Sequence, residues 1–322
     1  MSSRCNLVIT ENGETTLYYD RGYANILDKI VFWGPEYTKA FILERDANPE
    51  GLLDSIWSDG GVVLDFDTQC LTWFGGEEIE FDAGYNLIFH ELIKHQWSNW
   101  KIIWAKAGIY DIARAAGISL KKVRPRRHIQ PHELTQYYTK SGYLYADGIV
   151  SINLEEGRTS FFITTGWLTS IAHSDVNLRS IQYNIETFNY DEFLACRKID
   201  SYKNLLWGAH FDCAKRELDV WHSEKVSELR DLLESHWTGW RISDHGVDFK
   251  WHLDHIPKGH MQETDNFKRQ HILKELRDSI RKEQENPIVS EHRTGSLGAE
   301  RKLEIINRLI AKYALRLVHI TD

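Results

Sequence analysis

Apolar and polar positions alternate on both sides of Asn12-Gly13, which predicts a β-hairpin. Successive strand side chains face opposite ways, and a tight two-residue turn needs positive φ at both centres. Residues 63–74, with Leu64, Phe66, Leu71 and Trp73, predict a second hairpin. The period then changes. Tyr85, Phe89, Leu92 and Ile93 recur at helical spacing, and the stretch "HQWSNWKII" at 95–103 turns that helix into a strand.

The same order of patterns returns in the second half of the chain. Residues 9–27 lie on 153–171 at an offset of 144, matching Gly13 with Gly157, Thr15 with Thr159, Leu17 with Phe161, Gly22 with Gly166 and Tyr23 with Trp167. "VLDFDTQCLTWF" at 63–74 resembles "GAHFDCAKRELDVW" at 208–221, with the Phe-Asp pairs aligned so that Asp67 meets Asp212. The helix pattern returns as Val226, Leu229, Leu232 and Leu233, and "SHWTGWRIS" repeats the Trp-x-x-Trp corner at an offset of 140. Gly239 suits a left-handed helix cap, and Asn99 at the same place is the next most tolerated residue there. This expectation requires Trp97 and Trp237 to be buried at equivalent positions.

Fold class is therefore expected to be α+β: two tandem homologous units, each with two β-hairpins, a helix and a following strand, and then a C-terminal helical tail. The expected boundaries are 1–116 for the first unit, 117–146 for a basic linker with a short helix at Glu133–Tyr138, 147–260 for the second unit and 261–322 for the tail. In the tail, Phe267, Leu273, Leu276 and Ile280 mark one amphipathic face, and Leu303, Ile306, Ile310, Tyr313 and Leu317 mark another. Ser296 is expected to cap the second tail helix.

Charge sharpens these boundaries. The net charge of −8 comes from residues 1–261, where 27 Lys and Arg oppose 37 Asp and Glu, while 262–322 carry 12 against 10. All twelve tryptophans lie between Trp33 and Trp251. An acidic, tryptophan-rich body suits a basic partner better than nucleic acid. No run approaches the roughly eighteen apolar residues of a membrane span, and the first residues lack a signal-peptide pattern, so a cytoplasmic protein without membrane contact is expected. Cys5, Cys70, Cys196 and Cys213 are scattered without a Cys-x-x-Cys, which predicts reduced thiols rather than a disulfide framework or zinc knuckle.

Catalytic signatures are sparse. There is no Gly-x-Ser-x-Gly elbow, P-loop lysine or Rossmann glycine set. "HELIKH" spaces His90 and His95 five apart, so on a helix they diverge by about 140° and do not form a zincin face. Asp65 and Asp67, two apart on a strand, share a face as a divalent-metal pair would, and equally suit a turn. The densest chemical stretch is "WHLDHIPKGH", where His252, Asp254 and His255 could supply a base with its orienting acid, and His252, His255 and His260 a metal site. That stretch with Asn266 and His271 resembles His-Asn-His nucleases, but the spacings differ and no residue role is carried over.

Two binding surfaces complete the candidates. Trp33, Tyr37, Trp104 and Trp251 are candidate exposed aromatics, since such residues anchor protein interfaces. Lys121, Lys122, Arg124, Arg126 and Arg127 could hold phosphates, so a nucleic-acid contact would run through 121–128. The leading expectation is a non-catalytic protein, without cofactor and plausibly monomeric, that binds another macromolecule. A bacterial immunity or inhibitor protein occluding a basic toxin has this profile. The alternative is a metal-dependent hydrolase or nuclease using 252–260 with a divalent ion.

Overall fold

A computed structural model describes residues 3–48, 50–124, 135–136, 148–154, 159–165, 168–173, 176–187, 206–223, 225–226, 228–255, 265–285 and 297–313. The chain divides into two compact α+β units. The first comprises Met1–Ile79, Leu87–Arg126 and Glu263–Asp322, and the second comprises Glu80–Asn86 and Arg127–Gln262. The C-terminal helices thus complete the first unit.

The first unit is built on a six-stranded sheet of order β3-β2-β1-β4-β5-β6. Its strands are β1 (Cys5–Glu11), β2 (Glu14–Asp20), β3 (Asp46–Ala47), β4 (Gly60–Asp65), β5 (Cys70–Phe74) and β6 (Lys101–Trp104). Two antiparallel hairpins, β1-β2 and β4-β5, lie side by side through a parallel β1-β4 pairing, and β6 adds in parallel to β5. At the first turn Asn12 and Gly13 take φ of 56° and 77°, as the Asn-Gly pair predicts. The helices of this stretch of chain are α1 (Leu27–Val31), α2 (Pro35–Leu43), α3 (Glu77–Phe81), α4 (Ala83–Ile93) and α5 (Ile109–Ala115), of which the end of α3 and the start of α4 belong to the second unit. Pro35 opens α2 where a missing N–H costs nothing.

The second unit repeats this order with β8 (Gly148–Asn153), β9 (Thr159–Thr165), β10 (Trp207–Asp212), β11 (Glu217–His222) and β12 (Arg241–Asp244). Its sheet reads β12-β11-β10-β8-β9-β7, again with a parallel pairing between the hairpins, β8 with β10. β7 is Thr135–Gln136, paired to β9. These two residues stand within the helix expected at 133–138; edge pairing to Thr164 and Thr165 overrides the local pattern. α6 (Leu178–Thr187) and α7 (Leu229–His236) cover one sheet face, whose core includes Val150, Phe162, Trp207, Phe211, Val220 and Trp237. Leu232, expected inside, is exposed, whereas Leu229 and Leu233 are buried.

The Trp-x-x-Trp corner is the same object in both units. Trp97 and Trp237 are 1% and 6% exposed. The indole N–H of Trp97 donates to Val31 O at 2.8 Å, and that of Trp237 to Ile171 O at 2.9 Å, each reaching back 66 residues. Each indole meets its neighbour, Trp100 or Trp240, edge to face. Asn99 and Gly239 hold φ of 70° and 80°.

One part of the repeat is displaced from its textual match. The counterpart of Asp212 is Asp65, not Asp67. Asp65 pairs with Thr10 across the parallel ladder and accepts the Thr68 N–H, while Asp212 pairs with Asn153 and accepts the Lys215 N–H. Gln69 and Arg216 then share the positive-φ turn position. The Phe-Asp pairs align by side-chain contact only: Phe66 packs on Trp100 and Phe211 on Trp240.

The carboxylate of Asp67 instead accepts the Asn12 and Gly13 N–H groups at 2.7 and 2.8 Å, clamping the first turn. We expect Asp67→Ala to cost about 1 kcal/mol, because two charge-assisted bonds are lost at an exposed site. A urea melt reads this, and an unchanged midpoint would refute the clamp.

The tail helices α8 (Asp265–Glu285) and α9 (Ala299–Lys312) pack on each other. α8 buries Leu273, Leu276 and Ile280 as its periodicity predicts. α9 turns a neighbouring face inward, with Lys302, Ile305, Ile306 and Leu309 buried. The cause is Lys302, whose ammonium donates to the Tyr37 hydroxyl at 3.1 Å and lies over the Tyr37 and Trp33 rings. Phe267, Ser296 and Leu317 lie outside the described side chains, as do Gly157, Gly166 and Trp167. Among the described residues no helix is long and apolar enough to cross a membrane.

Candidate functional site

The histidine stretch of the second unit folds as a short 3-10 segment, Lys250–His255, over the sheet face opposite the main core. Ser151 on β8 and His210 on β10 are register partners and point to this face. Together with Trp221 on β11 they make a buried chain. The Trp221 indole N–H donates to His252 Nδ1 at 2.9 Å, His252 Nε2 meets Ser151 Oγ at 2.6 Å, and Ser151 Oγ meets His210 Nδ1 at 2.8 Å. Trp221 can only donate. Nδ1 of a neutral His252 must therefore accept, its Nε2 carries the proton and donates to Ser151, and the serine hydroxyl donates to His210.

Aromatic stacking closes the site. His255 lies flat on His210 with centroids 3.9 Å apart, and Trp251 lies on His252 at 5.0 Å. His245 Nε2–H donates to Asp219 Oδ1 at 2.8 Å, and the ring packs against Trp251. Burial and the neighbouring His255 push His210 down to about 4, and burial holds His252 well below the usual imidazole value. Both rings are thus neutral at pH 7.

The first unit shows how unusual this face is. Its equivalents of Ser151, His210, Trp221 and His252 are Val8, Val63, Phe74 and Ile112, which pack as an apolar cluster under α5. A methyl on Gly61 would stand 2.8 Å from Phe74 Cε1 and 2.8 Å from Ile112 Cγ1. A methyl on Gly208 would stand 2.2 Å from Trp221 Nε1 and 2.7 Å from His252 Nδ1. The same glycine thus makes room for a greasy contact in one unit and a hydrogen bond in the other. Sequence reasoning found His252 and His255 but not Ser151, His210 or Trp221. Laying β8, β10 and β11 on β1, β4 and β5 in the correct register would have exposed them.

The chemistry of this arrangement is limited. A hydrolytic serine needs a histidine that can take its proton, held by an acceptor at the other ring nitrogen. Here Trp221 makes His252 a donor to Ser151, and His210, which accepts the serine hydroxyl, is held down to about 4 by burial and is a weak base; Ser151 itself is fully buried. Asp254 is exposed, so the acid expected beside His252 is replaced by Trp221. Both nitrogens of His252 are engaged, and His260 lies outside the described residues. Among the described residues no group of three or more His, Cys, Asp or Glu side chains is placed to hold a metal ion.

The other candidates separate clearly. Trp33 and Tyr37, expected at the surface, are buried beneath Lys302. Trp104 is half-buried against Trp73 and His90, and Trp251 is half-buried on His252. Lys121, Lys122 and Arg124 are exposed around the buried Val123, while Arg126 and Arg127 lie outside the described residues. Asp65 caps its own turn through Thr68. Cys5, Cys70 and Cys213 are free thiols, and burial pushes the Cys5 thiol up; Cys196 lies outside the described residues.

Sequence reading missed two exposed aromatics among the described residues: Tyr183 on α6, 65% exposed, and Trp57, 53% exposed beside Ile56 at 41%. The Trp57 loop is fixed from below. The buried Asn6 amide accepts the Leu53 N–H and donates to Ser58 Oγ, while Arg4 O accepts the Asp59 and Gly60 N–H groups. The Asp59 carboxylate accepts the Arg4 N–H, and the Arg4 guanidinium stacks on the Trp57 ring at 4.5 Å. No family model, no curated protein and no solved structure matches this chain.

Proposed function

We propose that this is a non-catalytic, cytoplasmic binding protein whose partner is a basic protein, of the kind a bacterial immunity or inhibitor protein occludes. The observation that carries this reading is Trp57, exposed on a loop held by hydrogen bonds to Asn6 and Arg4. A large ring already fixed in place loses little freedom on binding, which is the character of an interface hot spot. Charge supports a basic partner: the chain carries 47 Asp and Glu against 39 Lys and Arg. The full burial of Ser151 and the weak basicity of His210 favour binding over hydrolysis.

Affinity capture from the native cell with wild-type protein and Trp57→Ala tests this reading. A stoichiometric basic partner is expected, weakened by salt and lost in the variant by about 30-fold or more, corresponding to ~2 kcal/mol. The melting temperature should hold, since the ring is exposed. No stoichiometric partner, or one bound equally by the variant, would overturn it. Co-expression with the product of a flanking gene tests the immunity role: a toxic product should lose its toxicity.

A further inference from the structure

We infer that the segment Lys250–His255 is an acid-released latch on the second unit, held by the one-directional chain Trp221–His252–Ser151–His210 and by the stacked His210–His255 pair. It lets go when these imidazoles take up protons. The argument stands on donor and acceptor counting. Trp221 cannot reverse its N–H, so a proton arriving at His252 Nδ1 faces another donor. A proton arriving at His210 Nδ1 leaves the Ser151 hydroxyl hydrogen without its acceptor. Rings stacked at 3.9 Å cannot both carry charge without repulsion. His252 and His255 sit on the latch, whereas Ser151, His210 and Trp221 belong to the sheet, so each new proton opposes the contact that closes the segment.

Other charges face this cluster. Asp212 and Asp219 on β10 and β11 favour a protonated His210, yet Asp212 is bound by Lys215 at 2.9 Å and Asp219 by His245 at 2.8 Å. Lys215 and His255 oppose protonation. Lys250 and Asp254 lie exposed on the latch itself. Burial dominates, and His210 falls to about 4. An imidazole depressed on folding contributes stability that is complete above its unfolded value near 6.5 and lost as pH falls from there towards 4.

The first unit runs the other way. Burial pushes the Asp28 carboxyl up to about 7, so its contribution is complete at low pH and declines as pH rises through that value. A whole-protein melt mixes the two effects, so the test must resolve segments. From pH 7 to 4.5, hydrogen-exchange protection factors should fall at least tenfold over 250–255 and hold or rise over α5, the corresponding apolar cover of the first unit.

Writing the first unit's residues into the second, as Ser151→Val, His210→Val, Trp221→Phe and His252→Ile, should abolish the fall. His255→Phe, which keeps a stacked ring without its charge, should move the transition to lower pH and decides the matter if the fourfold variant does not fold. Equal protection at both pH values, a parallel fall over α5, or an unmoved transition in His255→Phe would each overturn the latch.

Discussion

Trp97→Ala is expected to destabilise the first unit by about 3–5 kcal/mol, the range for deleting a large core aromatic. Trp97 is almost wholly buried, packs against Trp100, and donates its indole N–H to Val31 O. Its removal leaves a cavity and a carbonyl without its partner. Trp97→Phe keeps much of the ring and isolates the hydrogen bond, for which about 1–3 kcal/mol is expected. Trp237→Ala should have the same effect in the second unit through Ile171 O. Segment-resolved exchange must place the two losses in different units. A Trp97→Ala cost below about 1 kcal/mol would contradict the corner as a packing element.

Gly208→Ala is the second large effect, and its cause is purely steric. The new methyl would lie 2.2 Å from Trp221 Nε1, 2.5 Å from Trp221 Cε2 and 2.7 Å from His252 Nδ1. Trp221 cannot withdraw, because it is fully buried and tied to His252. Overpacking costs about 1–3 kcal/mol, and breaking the Trp221–His252 bond adds to it, so a loss of about 3 kcal/mol or more is expected. Gly239→Asn is the control. Gly239 has a φ of 80° with nothing near its missing side chain, and asparagine occupies the same place in the first unit. That change should fall within about 1 kcal/mol of wild type. Equal costs for the two glycines would remove the steric argument.

The legible parts of this fold are those where one residue type has one physical use. Asn12-Gly13 announces its turn, and Asn99 and Gly239 announce theirs, because positive φ excludes most side chains. The tryptophan corner was readable because its spacing, cap and following strand recur together. Register was not readable. Phe66-Asp67 and Phe211-Asp212 look alike, but only the ladder shows that Asp212 stands where Asp65 does. That two-residue displacement hid His210, and a one-residue slip of β8 against β1 hid Ser151; both appear as polar interruptions until set beside Val63 and Val8. Lys302 misled because an ammonium counts as a surface residue, although the rings of Trp33 and Tyr37 receive it. Trp57 was missed because exposure depends on what Asn6 and Arg4 do to a neighbouring loop.

The division of the chain also sets the order in which a ribosome can complete its parts. The first unit needs residues 263–322, so it cannot close until the residues of the second unit have already been made. The second unit is complete by residue 262. At about 5–20 residues per second, the interval for the remaining segment is several seconds, long compared with elementary folding steps. The half translated first is therefore finished last. Throughout that interval Trp33 and Tyr37 lack Lys302, the lysine that covers them in the folded first unit.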